Sequence, residues 1–463
     1  MSRLRCDGTS IWNAGVDAVR PKPLVQRTIR LEQDELRIGD LRWKKRDLDR
    51  VIVVGAGKAG TGMAEGLLEA IGGWLPMTGW VNVPEGTEKT LSDIRIHPAR
   101  PAGMNEPTEQ GVAGAREIIT LVRNAGPRDL CIALISGGGS ALLPAPKPGI
   151  TLEDKIEVTR YLSAAGADIT ELNTVRKQLS EVKGGGLLRA CREGNLVSLV
   201  LSDILGDPLD LIASGPTVLA APEPGISQPQ QALDVLHRFD PDRSLPNRVY
   251  ELLAHESTNQ NQTNVDASTR VGSIHSTFVI GNNALAVDEA GIRAEQLGYN
   301  HVMQSATKCE GAAEQVGRHM AKMTLLMLTA NSPAHRNDCL ITGGEPTVKL
   351  VPEEIRGQGG RNQQLVLAAY SHLLDEGISD RFWEKLCLLS GGTDGEDGPT
   401  DAAGAILDQQ IHARASELAL NPRDYLRRND AYAFFSRCNG LLKTGPTGTN
   451  VCDLRVAVLA RES

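Results

Sequence analysis

Three apolar runs in the N-terminal half, interrupted only by Ser198, break off into glycine or into a polar pair, and this constrains the fold more than any other feature. Val51-Ile-Val-Val54 runs into Gly55-Ala-Gly-Lys-Ala-Gly60, and Leu130-Cys-Ile-Ala-Leu-Ile135 runs into Ser136-Gly-Gly-Gly-Ser140. Leu196-Val-Ser-Leu-Val-Leu201 ends in Ser202-Asp203. A strand that is apolar at successive positions is buried on both faces. With helical patterns between the runs, this predicts an α/β fold whose parallel sheet is covered on both sides. Ligands of such sheets bind beyond the carboxyl ends of the strands, where these glycines fall. Glycine is 48 of 463 residues, about 10% against a usual ~7%. It follows no period, so a collagen-like chain is excluded.

Composition narrows the class further. An apolar share of 41% with 23% charge is enough to bury a core. The net charge of −8 and the lack of any Lys/Arg block argue against a nucleic-acid partner. Eight cysteines are scattered with no C-x-x-C pair, which reads as reduced thiols rather than a zinc site or disulfide framework. No run of 18 apolar residues is present, and residues 1–20 lack the apolar core of a signal peptide, so a cytoplasmic protein away from membranes is expected.

Alternation at Ile29-Arg-Leu31 and Leu36-Arg-Ile38 around Glu32-Gln-Asp-Glu35 predicts a small hairpin. A Pro/Gly stretch at Pro222–Pro229 precedes a helix over Gln230–Phe239, and Ser257–Ser268, rich in Asn, Gln and Thr, reads as a flexible surface segment. Strand-like runs resume at Ser276–Gly281, His301–Met303, Asp338–Thr342 and Lys385–Ser390, with a helical pattern over Gln363–Asp375. The expected division is an N-terminal domain over 1–245, a linker or insert over 246–274 and a C-terminal domain over 275–463.

The glycine clusters suggest anion chemistry. Gly55, Gly57 and Gly60 satisfy G-x-G-x-x-G between a strand and a helix, a pattern equally consistent with a tight turn that binds nothing. Lys58 inside it suits a phosphoryl or carboxylate group better than a nicotinamide cofactor. The nicotinamide alternative leans on Glu85 as ribose ligand, which comes slightly late. Ser136, Gly137, Gly138, Gly139 and Ser140 read as a nest of amides and hydroxyls. Arg361, in Gly357-Gln-Gly-Gly-Arg-Asn362, stands at a predicted helix N-terminus, where a cation is unfavourable without an anion nearby. Asp203, Asp207, Asp394 and Asp397 lie after predicted strands and are candidate Mg2+ ligands; each taken alone could equally be a surface turn or a helix cap. Thr444-Gly-Pro-Thr-Gly-Thr-Asn450 adds hydroxyls and amides, Thr447 and Asn450 among them. Walker, protein-kinase, G-x-S-x-G and H-E-x-x-H motifs are absent. His97 is the one histidine near an expected strand-end loop, and a surface role suits it better.

Taken in chain order, these stretches resemble the class II glycerate kinases, the family with a MOFRL C-terminal domain, whose members have often been labelled hydroxypyruvate reductases. The resemblance rests on Val53–Ala59, Ile135–Leu142, Val175–Gly185, Leu201–Pro216, Gly343–Val348, Gly357–Gln363, Gly391–Gly404 and Thr444–Val451. It covers nearly the whole chain. It implies a Rossmann-like N-terminal domain and a MOFRL-type α/β C-terminal domain with the active site in the cleft. It further implies ATP- and Mg2+-dependent phosphorylation of D-glycerate to 2-phosphoglycerate, with NAD(P)H-dependent hydroxypyruvate reduction as the alternative. Carried onto this sequence, the family's catalytic lysine and arginine fall on Lys58 and Arg361. Asp203 is the candidate base, and Lys183, Asn362, Thr447 and Asn450 join the glycine loops as substrate or phosphate ligands. A homodimer is compatible with this reading. The chain departs from the family in a longer loop after His97, in Pro346 where a second threonine is frequent, and in the Asn/Gln segment.

Overall fold

The computed structural model describes residues 2–104, 106–219, 226–263, 274–329 and 336–460. The chain forms two compact units, one of Pro21–Leu201 with Pro208–Ile280, the other of Met1–Arg20, Ser202–Asp207 and Gly281–Ser463. These do not follow a single cut near 245. Of the expected 246–274 segment, Asn247–Thr263 is helical and 264–273 lie outside the described residues, as do 222–225 of the Pro/Gly stretch.

The first unit begins with an antiparallel sheet of β1 (Ile29–Glu32), β2 (Glu35–Ile38) and β3 (Leu41–Lys44), with Ile29 opposite Ile38. The expected hairpin thus gains a third strand. Its main sheet contains β4 (Arg50–Ala56), β5 (Met77–Pro84), β6 (Ile94–Arg100), β7 (Asp129–Ser136), β8 (Asn195–Leu201) and β9 (His275–Gly281) in the order β6-β5-β4-β7-β8-β9. The pairings from β6 to β8 are parallel. β7 and β8 are buried at every position, and helices Gly60–Ile71 and Glu109–Arg123 pack on the sheet. Counted from β4 as first, the order is 3-2-1-4-5-6, the doubly wound arrangement whose direction switches between first and fourth strands. A separate helical lobe has its own core, with Val158, Leu162, Val175, Leu236 and Leu253 among its members.

The second unit contains β10 (His301–Ser305), β11 (Cys339–Gly344), β12 (Leu386–Gly392), β13 (Gly404–Asp408), β14 (Leu441–Leu442) and β15 (Asp453–Leu459), ordered β10-β11-β15-β12-β13-β14. Only β10–β11 is parallel; β15 lies antiparallel between β11 and β12. Helix Arg3–Ala18 packs here: Ile11, Trp12 and Val16 are buried against Leu389 and Leu454, and the Trp12 indole N–H donates to the Leu454 carbonyl at 3.0 Å. That helix covers an otherwise bare apolar face, which is why residues 1–20 group with the C-terminal residues. Among the described residues, no helix is long and apolar enough to cross a membrane.

Candidate active site

In the first unit, the loops after β4 and β7 meet at the switch point. The Gly57 amide donates to the Asn82 carbonyl (3.1 Å), Lys58 to the Gly137 carbonyl (2.8 Å), Gly60 to the Gly57 carbonyl (3.1 Å) and Ala59 to the Ser136 Oγ (3.0 Å). Those amides therefore serve the fold and form no phosphate cradle, a correction to the motif reading. The glycines here answer close packing. A Cβ on Gly57, at φ +150°, would stand 2.0 Å from the Ser136 Oγ, and Cβ atoms on Gly55 and Gly60 would meet Leu134 and Val81. Ser136 is buried and committed to Ala59, so it too leaves the ligand set.

The second loop differs. Gly138 adopts φ +77°, which a side chain disfavours, and opens the short helix Gly139–Leu142. No acceptor within the described chain takes the amides of Gly138, Gly139 or Ser140. Lys58 lies beside them: a Cβ on Gly138 would be 3.4 Å from the Lys58 Cγ and 3.5 Å from the buried Arg100 guanidinium. Arg100, at the end of β6, was not singled out by the sequence reading.

Ser140 connects this loop to the helical lobe. Its Oγ lies 2.9 Å from the Ser214 Oγ, and the buried Lys183 ammonium donates to the Ser140 carbonyl (3.0 Å) and the Ser214 Oγ (3.4 Å). Ser214 in turn donates to the Asn173 Oδ1 at 3.2 Å. Ala213 and Ser214 both hold positive φ, so the chain is bent sharply to present this hydroxyl.

In the second unit, the anion expected beside Arg361 belongs to the protein. The Arg361 guanidinium forks onto Asp453 (2.8 and 3.0 Å) and reaches Glu345 at 2.8 Å. Burial opposes its charge, but Asp453 by attraction and hydrogen bonding, and then Glu345, outweigh that and raise its pKa. Asp397 is not placed as a metal ligand. It accepts the Asn362 and Gln363 amides at 2.9 and 2.8 Å, capping helix Arg361–Asp375, and burial raises its pKa to about 7 although those bonds pull the other way. Asn362 is fully buried, bonded to Asp397 and Ser390. Thr447 donates to the Thr393 carbonyl (2.6 Å), tying its loop to the one after β12, and the Asn450 Oδ1 accepts the Cys452 amide (3.2 Å) within its own loop. Asp207 at φ +53° accepts from Asn282, the Asp394 carboxylate accepts the Glu396 amide, and the Asp203 carbonyl accepts the Cys452 thiol. Among the described residues, no group of three or more His, Cys, Asp or Glu is arranged to hold a metal ion. Mg2+ needs only one or two carboxylates beside phosphate oxygens, and Asp203, Asp207 and Asp394 remain of that type.

A doubly wound sheet carrying a lysine and open amides at its switch point, and a second α/β unit with an arginine forked onto a buried aspartate, define a two-domain protein suited to small anionic ligands. Residues 7–254 match a domain of unknown function (DUF4147) and residues 338–453 match the MOFRL family. The chain is 35% identical over 508 residues to a glycerate kinase of Danio rerio, covering 99% of this chain and 98% of that protein. It is 37% identical over 416 residues to a D-glycerate 2-kinase of Thermotoga maritima, covering 90% and 92%. The crystal structure of the Thermotoga maritima glycerate kinase superposes with a TM-score of 0.81 at 34% identity, covering 99% of each chain. The chain belongs to the MOFRL family of glycerate kinases.

Proposed function

We propose that this protein transfers a phosphoryl group from ATP to a hydroxyl of D-glycerate, giving 2-phosphoglycerate. The observation that carries the reading is the Lys58 side chain alongside the unclaimed amides of Gly138, Gly139 and Ser140 at the β4–β7 switch point, in a chain whose full-length relatives are glycerate kinases. ATP with Mg2+ supplies the phosphoryl group and part of its charge neutralisation when bound. Open main-chain donors beside a lysine are the donor chemistry a phosphate needs, and half-buried Asp203 and Asp207 are of the kind Mg2+ takes.

Lys58 holds the transferring phosphoryl group or the substrate carboxylate, and the Gly138–Ser140 amides orient its oxygens. Arg361, held rigid by Asp453 and Glu345, offers the N–H groups its partners leave to an oxyanion. Asp203 accepts the proton of the attacking hydroxyl. Hydroxypyruvate reduction draws no support from the first loop, because the amides that would receive a dinucleotide pyrophosphate are occupied by Asn82, Gly137 and Ser136. Lys58→Ala is expected to lose at least 100-fold in kcat with D-glycerate and ATP while melting as the parent does. Parental turnover in that variant overturns the assignment.

A further inference from the structure

A cavity of about 180 Å³ lies within the first unit on the Ser140 side of the glycine loop. Ser140, Lys155, Thr159, Arg176, Leu179 and Lys183 line it, whereas Lys58 and Gly137–Gly139 do not. Lys155 comes from helix Leu152–Ala164, Arg176 from helix Ile169–Gln178 and Lys183 from the turn beyond. Lys155 and Lys183 are only 8% and 3% exposed.

All three cations have neutral partners. Lys155 donates to the Leu179 carbonyl at 3.1 Å, Lys183 to Ser140 and Ser214, and Arg176 to the Asn173 Oδ1 at 3.5 Å. Nearby carboxylates are engaged elsewhere. Glu106 and Arg160 also line the cavity and fork with each other, Asp154 binds Arg248 while capping its helix, and Glu256 takes Lys147. Among the described residues, no carboxylate pairs with Lys155, Arg176 or Lys183. Burial, then repulsion from Arg176 and Lys147, pushes Lys155 down to about 7. Burial, then Arg176 and Lys155, puts Lys183 well below its ordinary value, and burial lowers Arg176. Holding three basic groups from separate elements charged around one cavity, with no counter-charge, is unfavourable for the fold by itself, which is what drives their pKa values down. A bound oxyanion removes that penalty. The volume is more than ten times the ~10–15 Å³ that one water requires, and no aromatic ring lines it, so a small acid suits it better than a nucleobase.

We infer that this cavity is an anion subsite in which Lys155, Arg176 and Lys183 bind the carboxylate or phosphoryl group of a small acid, apart from Lys58. The site itself stands on geometry; only the identity of the acid, the hydroxy acid or its phosphate ester, rests on the proposed function.

The test uses the full chain carrying Lys58→Ala, so that anion binding near Lys58 does not contribute. Titration calorimetry with inorganic phosphate is expected to show one saturable site. Adding Lys155→Met or Arg176→Met weakens it at least tenfold, and Lys155→Arg restores it; unchanged melting curves show that the variants fold. Displacement of phosphate by D-glycerate identifies a carboxylate pocket, and displacement by 2-phosphoglycerate alone identifies a phosphoryl pocket. Absence of saturable binding, or equal affinity in parent, Lys155→Met and Arg176→Met, overturns the subsite. Turnover of D-glycerate by the wild-type chain is measured separately, so failure of the kinase reading leaves the binding result standing.

Discussion

Replacing Arg361 by alanine should destabilise the C-terminal unit as well as impair turnover, and the two effects are separable. Asp453 is 0% exposed and receives both arms of the fork at 2.8 and 3.0 Å. Removing Arg361 leaves that carboxylate buried with no cation opposite. Unit charges about 4 Å apart attract by ~4 kcal/mol at an effective dielectric near 20, and breaking one side of a buried pair costs about 3–5 kcal/mol. Glu345 is 42% exposed in its side chain and adds less than about 1 kcal/mol. Urea denaturation of Arg361→Ala is therefore expected to show a loss of about 4 kcal/mol, while the Arg361→Ala/Asp453→Ala double variant loses less than the sum of the single variants by at least about 2 kcal/mol. A loss below about 1 kcal/mol, or additive single changes, would refute the claim that the fork onto buried Asp453 holds Arg361 in place.

Two further outcomes follow from the geometry. Gly57→Ala should lower stability by about 1–3 kcal/mol or more, since the new methyl meets Ser136 in a left-handed loop; a parental melting temperature contradicts the packing role of this glycine. Asp240 is buried, and although burial opposes its charge, the Leu245 and Ser244 amides and the Tyr250 and Tyr161 hydroxyls hold its pKa at about 2 against an ordinary 3.8. The folded value is depressed, so its stabilisation is full above about pH 4 and fades as pH falls through about 2. Asp240→Asn should flatten the acid limb of the stability curve between those values, and an unchanged limb contradicts the assignment.

Fully buried strands were the most legible part of the fold, because β7 and β8 are apolar almost throughout and end where glycine or serine begins. The hairpin was legible from period-two alternation, and helix Arg361–Asp375 from its spacing. The mixed C-terminal sheet was not. β11 and β12 run the same way and flank a helix, a parallel pattern locally, but β15 from the far end of the chain is inserted between them. Helix Arg3–Ala18 reveals its partner only through Trp12 reaching Leu454, 442 residues away.

The candidate site was legible as composition and less so as roles. A glycine motif does not say whether its amides face a ligand or a neighbouring loop; the loop after β4 spends them on Asn82, Gly137 and Ser136, and the loop after β7 leaves them open. The misplaced cation at Arg361 did signal an anion, yet Asp453 lies 92 residues away in sequence and answers it within the protein. Lys155, Arg176 and Lys183 share no motif spacing, and only the fold of the helical lobe brings them to one cavity.

Phosphorus NMR of the wild-type chain incubated with D-glycerate, ATP and Mg2+ is expected to show the resonance of 2-phosphoglycerate growing as ADP accumulates, with no NADH consumed when hydroxypyruvate and NADH are supplied instead. NADH oxidation by hydroxypyruvate, with no phosphorylated glycerate formed, would contradict the proposed kinase activity.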